Sequence, residues 1–177
     1  RSFLYGGPSI KLPPMAALSI GSRVTVVDHK DQFAITHRGH CIIADHLVPV
    51  DQYETDFVSV AERFIGVPYY WGGKTSLGLD CSGLVQIALD AVGQGAPRDS
   101  DMQERQLGGA LEIDAALSGL MRGDLIFWKG HVGIMRDAET LLHASGHHML
   151  VVSEPLCEAV TRIAAKNAGP ITSIKRL

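Results

Sequence analysis

A cysteine at the predicted start of a helix is the first candidate for chemistry in this 177-residue chain. Cys81 follows a glycine-rich loop, and apolar residues recur at helical spacing from Leu84 to Val92 before Gly93 ends the pattern. The partial positive charge at the start of a helix stabilises a thiolate. We therefore predict that Cys81 is a nucleophile, although a lone cysteine on an apolar helix is more often a buried structural thiol.

Two histidines downstream are candidates for the base that such a thiol needs. His131 and His143 are symmetric about residue 137, where turn-forming residues lie. A hairpin centred on Asp137 would place the histidines directly opposite each other, with Cβ atoms roughly 4.5–5.5 Å apart. We expect His131 to act as base and His143 to orient it, because a neutral imidazole can both accept and donate a hydrogen bond.

A zinc site built from the same three side chains is the alternative. Cys81, His131 and His143 are chemically suitable ligands, but none of them lies at the tight spacing of a typical zinc motif. The sequence therefore favours hydrolysis by a thiol, which needs neither a metal nor an organic cofactor. His147 and His148 follow Gly146 in a predicted turn, where solvated residues are the default and a place in the cleft wall is the alternative.

The pattern of predicted elements changes near residue 50. Residues 1–50 indicate a small β module with strands at 23–27, 33–36 and 40–43, whereas residues 51–177 indicate an α+β domain. In the second part, Asp56 is predicted to cap a helix that Gly66 ends, and Ser100 with Gln103 forms a candidate capping box. Strands at 125–128, 131–135, 140–144 and 149–152 follow, then a helix opened by Pro155 and a last strand near 171–174.

Composition excludes several classes of function. The net charge is −3 with scattered lysines and arginines, which does not indicate nucleic-acid binding, and no apolar run reaches the roughly 18 residues of a membrane span.

The three cysteines are widely spaced, which favours a reducing, cytoplasmic compartment over a disulfide framework. Cys41 and Cys157 are expected to be buried. Because the chain begins at Arg1, we expect that an N-terminal segment is missing, so a cell-envelope location and the oligomeric state stay open.

Five segments of the second part resemble the NlpC/P60 cysteine peptidases, and they occur in the order typical of that family. They are GVPYYWGG at 66–73, DCSGLV at 80–85, GDLIF at 123–127, HVGI at 131–134 and LHAS at 142–145. Residues 1–50 resemble, more loosely, the bacterial SH3-like domains that often precede this family.

The resemblance implies a papain-like core in which the nucleophile helix packs on an antiparallel sheet, preceded by a small SH3-like β-barrel. It implies Cys81 as nucleophile, His131 as base and His143 as the polar third member of the site. Tyr69 would lie near the developing oxyanion. Asp80 and Ser82 would line the substrate cleft, where Asp80 suits a free α-amino group, although capping of the helix is an equally good explanation for both residues.

The resemblance also implies a substrate, because the family cleaves murein peptides of the bacterial cell wall. The expected bond is D-γ-glutamyl–meso-diaminopimelate, with preference for a free N-terminal L-Ala, as in enzymes like dipeptidyl-peptidase VI. The turn at residues 31–33 is the candidate wall that closes the cleft. Two alternatives stay open: a cysteine amidase or acyltransferase on the same core, and a non-catalytic protein that binds the cell wall.

Overall fold

A computed structural model describes residues 1–112, 117–166 and 168–177 of the chain. The chain divides into two compact units, Arg1–Tyr53 and Glu54–Leu177. Within the described ranges, none of the helices combines the length and the apolarity that a membrane crossing requires.

The first unit is a five-stranded antiparallel sheet. Its strands are β1 Ser2–Tyr5, β2 Pro14–Leu18, β3 Val26–Lys30, β4 Phe33–Thr36 and β5 Cys41–Ile43, with a short 3-10 helix at Ala44–His46. The spatial order is β2-β1-β5-β4-β3. The sequence did not indicate β1 and β2, and β3 begins three residues later than expected. Burial is concentrated in β4 and β5, where Phe33, Ala34, Cys41 and Ile42 form the small core.

The second unit combines four helices with a six-stranded antiparallel sheet. The helices are α1 Phe57–Glu62, α2 Cys81–Ala91, α3 Ser100–Gln106 and α4 Leu156–Ala165. The strands are β6 Lys74–Thr75, β7 Gly78–Leu79, β8 Gly109–Leu111, β9 Leu125–Trp128, β10 His131–Met135, β11 Thr140–Ser145, β12 Leu150–Pro155 and β13 Ser173–Arg176. The large sheet has the order β12-β11-β10-β9-β13-β8, while β6 and β7 form a separate hairpin.

Two helices pack on this sheet and position the site. Helix α2 contacts β10 and β11, and helix α4 contacts β11 and β12. The core beneath α4 contains Trp128, Met135, Leu141, Leu156 and Ala159, all nearly inaccessible to solvent. The predicted combination of helices with an antiparallel sheet is confirmed, as are the capping of α1 by Asp56 and the helix that follows Pro155.

The hairpin between β10 and β11 differs from the prediction in its register. Ile134 pairs with Leu142, so the centre lies at residue 138 rather than 137. Asp137 sets this turn, because its carboxylate accepts hydrogen bonds from the backbone N–H groups of Glu139 and Thr140. His131 and His143 are therefore diagonal rather than directly opposite, but they stay on one face because the parity of the pairing is unchanged.

Two smaller predictions are wrong. Ser100 and Gln103 form no capping box, since Asp99 occupies the N-cap of α3 and the buried Gln103 amide donates to the carbonyls of Ser82 and Pro97. Cys157 is exposed rather than buried, because it lies on the face of α4 opposite to the residues that pack on the sheet. Both positions depend on tertiary contacts that local sequence does not encode.

Candidate active site

Cys81 is the first residue of α2, and its side chain is enclosed. Asp80 caps the helix by accepting a hydrogen bond from the backbone N–H of Gly83 at 2.8 Å. Only 7% of Cys81 is exposed, and its sulfur lies within hydrogen-bonding reach of the backbone N–H of Val132 at the start of β10. The nucleophile candidate therefore lies beside the residue that follows His131.

Burial opposes the expected stabilisation of the thiolate. Loss of solvent raises the pKa of the Cys81 thiol to about 11, and the nearby Asp80 carboxylate adds to this rise. The backbone N–H groups of Val132 and Ser82 act in the opposite direction but do not compensate. The helix start therefore supplies donors for a thiolate, while burial keeps the enclosed thiol neutral.

His131 and His143 are hydrogen-bonded to each other. Nε2 of His131 lies 2.8 Å from Nδ1 of His143, and the two rings meet edge to face. Because Nε2 is engaged in this way, Nδ1 is the nitrogen of His131 that is left to face a thiol. If Nε2 of His131 and Nδ1 of His143 both bound a zinc ion, the hydrogen bond between them would be lost. The described residues contain no cluster of His, Cys, Asp and Glu suited to a metal ion.

The environment keeps His131 neutral. Burial lowers the pKa of His131 to about 3, and the positive charges that His143 and Arg162 can carry add to the effect. The ring also packs on Trp128, with the ring centres 5.6 Å apart. A neutral imidazole held in this way can accept a proton, which is the property a general base requires.

A carboxylate behind the histidine pair was not identified from the sequence. Nε2 of His143 lies 2.7 Å from Oε1 of Glu154 in β12, and both carboxylate oxygens of Glu154 accept hydrogen bonds from the Arg162 guanidinium in α4. Burial alone would raise the pKa of Glu154, but the bonds with His143 and Arg162 hold it well below its usual value. The only signal in the sequence was the charge of Glu154, which lies between the predicted strand at 149–152 and the helix opened by Pro155.

Asp80 and Ser82 belong to a second polar cluster with Arg98. Both oxygens of Asp80 accept hydrogen bonds from the Arg98 guanidinium, at 2.9 and 2.7 Å, and Oδ2 also accepts from the backbone N–H of Gly72. The Ser82 hydroxyl donates to Asp80 at 3.3 Å and accepts from Arg98 at 2.9 Å. The capping role expected for Asp80 is present, and Arg98 is a site residue that the sequence reasoning missed.

Tyr69 lies in the loop that precedes the β6–β7 hairpin. Its backbone N–H donates to the carbonyl of Met149, which fixes the loop against the turn between β11 and β12. Burial raises the pKa of the Tyr69 hydroxyl to about 12, and the negative charges that Cys81 and Asp80 can carry contribute. The phenol therefore stays protonated at neutral pH. It lies close enough to Cys81 and Asp80 for their charges to affect its pKa.

A cavity of about 270 Å³ opens beside the histidine pair. Six of the residues that line it carry polar side chains: His131, His143, Ser145, His147, Arg162 and Lys166. His147 and Lys166 are hydrogen-bonded to each other at 2.9 Å. Of the two turn histidines, His147 therefore reaches a cavity wall, and His148 lies 3.4 Å from Glu154.

Comparison with known proteins identifies the family of the chain. Residues 66–163, more than half of the chain, match the NlpC/P60 family, and the chain therefore belongs to this family. The matched region contains α2, β9, β10, β11 and β12 and most of α4. The mixed α/β fold with an antiparallel sheet is thus the NlpC/P60 fold.

Two curated relatives are peptidases. Dipeptidyl-peptidase 6 of Lysinibacillus sphaericus is 34% identical over 106 residues, which are 60% of this chain and 38% of that protein. The γ-D-glutamyl-L-lysine dipeptidyl-peptidase of Bacillus subtilis is 33% identical over 108 residues, which are 55% of this chain and 35% of that protein. The chain thus spans well under half the length of these relatives.

Two solved structures share the fold. An NlpC/P60 family protein from Bacillus cereus superposes with a TM-score of 0.75 at 23% identity, over 99% of this chain and 60% of that one. The peptidoglycan hydrolase RipB of Mycobacterium tuberculosis superposes with a TM-score of 0.53 at 30% identity, over 68% of this chain and 62% of that one. The two curated relatives are thus named as peptidases, and RipB is named as a peptidoglycan hydrolase.

Proposed function

We propose that this chain is a cysteine peptidase that hydrolyses murein peptides. Cys81 is the nucleophile, His131 the base and His143 the group that orients the base. The observation that carries the proposal is the 2.8 Å hydrogen bond between Nε2 of His131 and Nδ1 of His143, next to a thiol that lies against Val132. This bond leaves Nδ1 of His131 as the proton acceptor.

The first half of the reaction transfers the thiol proton and forms a thioester. Nδ1 of His131 takes the proton as the Cys81 sulfur attacks the amide carbonyl, so the neutral pair of the resting site becomes charged only during attack. The backbone N–H of Cys81 and the Tyr69 hydroxyl are donors for the oxyanion. The imidazolium then gives its proton to the leaving amine, and the C–N bond breaks.

The second half hydrolyses the thioester. Nδ1 of His131 removes a proton from a water molecule that attacks the thioester carbonyl, and the proton passes to the departing sulfur. The product is a carboxylic acid, which releases its proton to solvent to become a carboxylate, and the enzyme returns to its neutral state. No step requires a metal, so we expect treatment with a chelator to leave the rate unchanged, whereas loss of activity would favour the zinc alternative.

The finer proposal is that the cleaved bond is D-γ-glutamyl–meso-diaminopimelate and that a free N-terminal L-Ala is preferred. The name of the Bacillus subtilis relative, a γ-D-glutamyl-L-lysine dipeptidyl-peptidase, supports a γ-glutamyl bond. The ionised Asp80 would attract an amine, although its two oxygens already bind Arg98. We further propose that residues 1–50 are an SH3-like domain, which the five-stranded antiparallel sheet supports.

Mass spectrometry of the products from defined wall peptides tests both levels of the proposal. The substrates are L-Ala-γ-D-Glu-meso-diaminopimelate, the corresponding tetrapeptide and a cross-linked dimer, each with a free and an acetylated amino terminus. We expect release of L-Ala-γ-D-Glu from the free peptides and a rate at least tenfold lower, as an order of magnitude, for the acetylated ones. Equal rates for the free and acetylated peptides would overturn the proposed preference for a free amine. An intact γ-glutamyl bond in every peptide would overturn the proposed peptidase activity.

A further inference from the structure

Glu154 lies at the end of a chain of hydrogen bonds that begins at His131. The three side chains come from three neighbouring strands, β10, β11 and β12, and lie on one face of the sheet. Glu154 is diagonal to His143, because Leu141 pairs with Glu154 and His143 pairs with Val152. His131 is diagonal to His143 on the other side, so the register of two hairpins brings all three groups into line.

Hydrogen bonding fixes where the protons lie in this chain. An ionised carboxylate only accepts, so Nε2 of His143 must carry a proton to donate to Glu154. A neutral His143 then has a bare Nδ1, which can only accept from a protonated Nε2 of His131. A neutral His131 with a proton on Nε2 has a bare Nδ1, the form that can remove a proton from Cys81.

We propose that Glu154 is a positioning residue that sets the tautomers of both histidines and thereby makes His131 a base. This inference rests on the proposed function, since a base is needed only if Cys81 is a nucleophile. It adds a fourth member to the site, one that acts through His143 and does not touch the substrate.

Arg162 keeps Glu154 in the ionised form that this role requires. The Glu154 side chain is 10% exposed and that of Arg162 is 19% exposed, so a desolvated carboxylate is matched by an enclosed guanidinium with two hydrogen bonds to it. The charged and titratable groups that face Glu154 are His143 from β11, His148 from the following turn at 3.4 Å and Arg162 from α4. Protonation of Glu154 would leave Arg162 without its counter-charge.

Nitrogen NMR of the ¹⁵N-histidine-labelled wild-type protein tests the tautomers without any substitution. We expect His131 and His143 both to carry the proton on Nε2 and to have a bare Nδ1 at neutral pH. A proton on Nδ1 of His143 would overturn the inference, because Glu154 would then accept nothing from that ring. Assignment uses His131→Gln and His143→Gln as reference samples.

Replacement of the carboxylate by an amide tests the consequence for catalysis. In Glu154→Gln the amide N–H₂ can donate to His143 Nε2, which reverses the chain and places the proton of His131 on Nδ1. We expect kcat on the tripeptide to fall about 100-fold with KM changed less than about threefold, as for loss of an orienting partner. Glu154→Asp keeps an acceptor and should recover part of the rate, whereas equal losses in both variants would indicate a structural role only.

The matched control is Glu62→Gln. Glu62 in α1 is likewise bound by arginine, in this case Arg122 and Arg136, and within the described part of the chain no histidine bonds to it. This substitution should leave kcat unchanged, and the thermal midpoint of unfolding shows whether each variant is folded. A wild-type rate in Glu154→Gln would overturn the inference.

Alkylation of Cys81 separates failure of this inference from failure of the proposed function. The rate of iodoacetamide labelling against pH, followed by peptide mass spectrometry, needs no substrate. We expect the profile of Glu154→Gln to move to higher pH because His131 no longer accepts the thiol proton, while that of Glu62→Gln stays in place. A shifted profile with no hydrolysis of any wall peptide would keep the role of Glu154 and reject the substrate, and unshifted profiles would reject the role.

Discussion

The two sides of the site each contain an arginine–carboxylate pair, and the two pairs have different partners. On the thiol side, Asp80 binds Arg98 and the backbone N–H groups of Gly72 and Gly83. On the histidine side, Glu154 binds Arg162 and a ring nitrogen of His143. A carboxylate that accepts from backbone fixes the start of a helix, whereas one that accepts from an imidazole fixes a proton.

This difference indicates that the two arginine–carboxylate pairs have different roles in the site. The thiol side holds Cys81 in place through the capped first turn of α2, and substitutions there should alter the stability as much as the rate. Under the proposed function the histidine side controls protonation, and substitutions there should alter the rate more than the stability. Substitutions on the two sides test that separation, and they differ in the size of the expected effect.

Removal of the base should give the largest loss of rate. We expect His131→Ala to lower kcat by about 10³–10⁴-fold, since it leaves the Cys81 thiol without a proton acceptor. The thermal midpoint should change less than the rate, because the substitution keeps the backbone pairing of residue 131 with Trp128 at the start of β10. The control is His37→Ala, an exposed histidine of the first unit, and steady-state kinetics with thermal unfolding measure both effects. A large loss of stability together with the loss of rate would contradict the view that the histidine side affects the rate more than the stability.

Addition of one methyl group on the thiol side should reduce both stability and rate. A Cβ on Gly83 would lie 2.4 Å from the carbonyl oxygen of Gly73, so Gly83→Ala forces the first turn of α2 away from the loop. We expect the free energy of unfolding to fall by about 1–3 kcal/mol and the activity to fall with it. Gly95→Ala is the matched control, because nothing lies within 4 Å of its added Cβ. Urea unfolding of the two variants compares them, and equal stabilities would show that the close approach is unimportant.

Loss of the Asp80 charge should give a smaller, pH-dependent effect. Burial would raise the pKa of Asp80, but the bonds with Arg98 and the two backbone N–H groups hold it below its ordinary value of 3.8. The ion pair therefore stabilises the folded state above pH 3.8, and this contribution is lost as the pH falls through the lowered value.

We expect Asp80→Asn to reduce the free energy of unfolding by about 0.5–2 kcal/mol at pH 7, with the difference from wild type shrinking below pH 3.8. Urea unfolding at several pH values measures it. Asp101→Asn removes a carboxylate whose ion pair with Arg105 is exposed, and it should have no measurable effect. A difference that persists unchanged in acid would show that the charge of Asp80 is not the cause.

The sequence predicted the residues of the site better than their contacts. Cys81 could be placed at a helix start because capping and apolar spacing are local properties, and the capping by Asp80 followed from the same pattern. The register of the β10–β11 hairpin depended on Asp137, whose carboxylate binds two backbone N–H groups and moves the centre of the turn by one residue. Local propensity cannot distinguish these two centres.

Long-range pairs were beyond prediction from one sequence. Arg98 reaches Asp80 across 18 positions, and Glu154 meets His143 only through the pairing of β11 with β12. The burial that raises the pKa of Cys81 likewise comes from β10 packing against α2. In each case the chemistry depends on tertiary neighbours, whereas the sequence shows only the residue type.

The central claim is that hydrolysis proceeds through the Cys81 thiol. Its most direct measurement is the rate of cleavage of L-Ala-γ-D-Glu-meso-diaminopimelate by wild type, Cys81→Ala and Cys157→Ala, the last removing the exposed thiol of α4. We expect Cys81→Ala to lose at least about 10³-fold in rate while it stays folded, and Cys157→Ala to keep the wild-type rate. A Cys81→Ala protein that cleaves the peptide at the wild-type rate would contradict the claim.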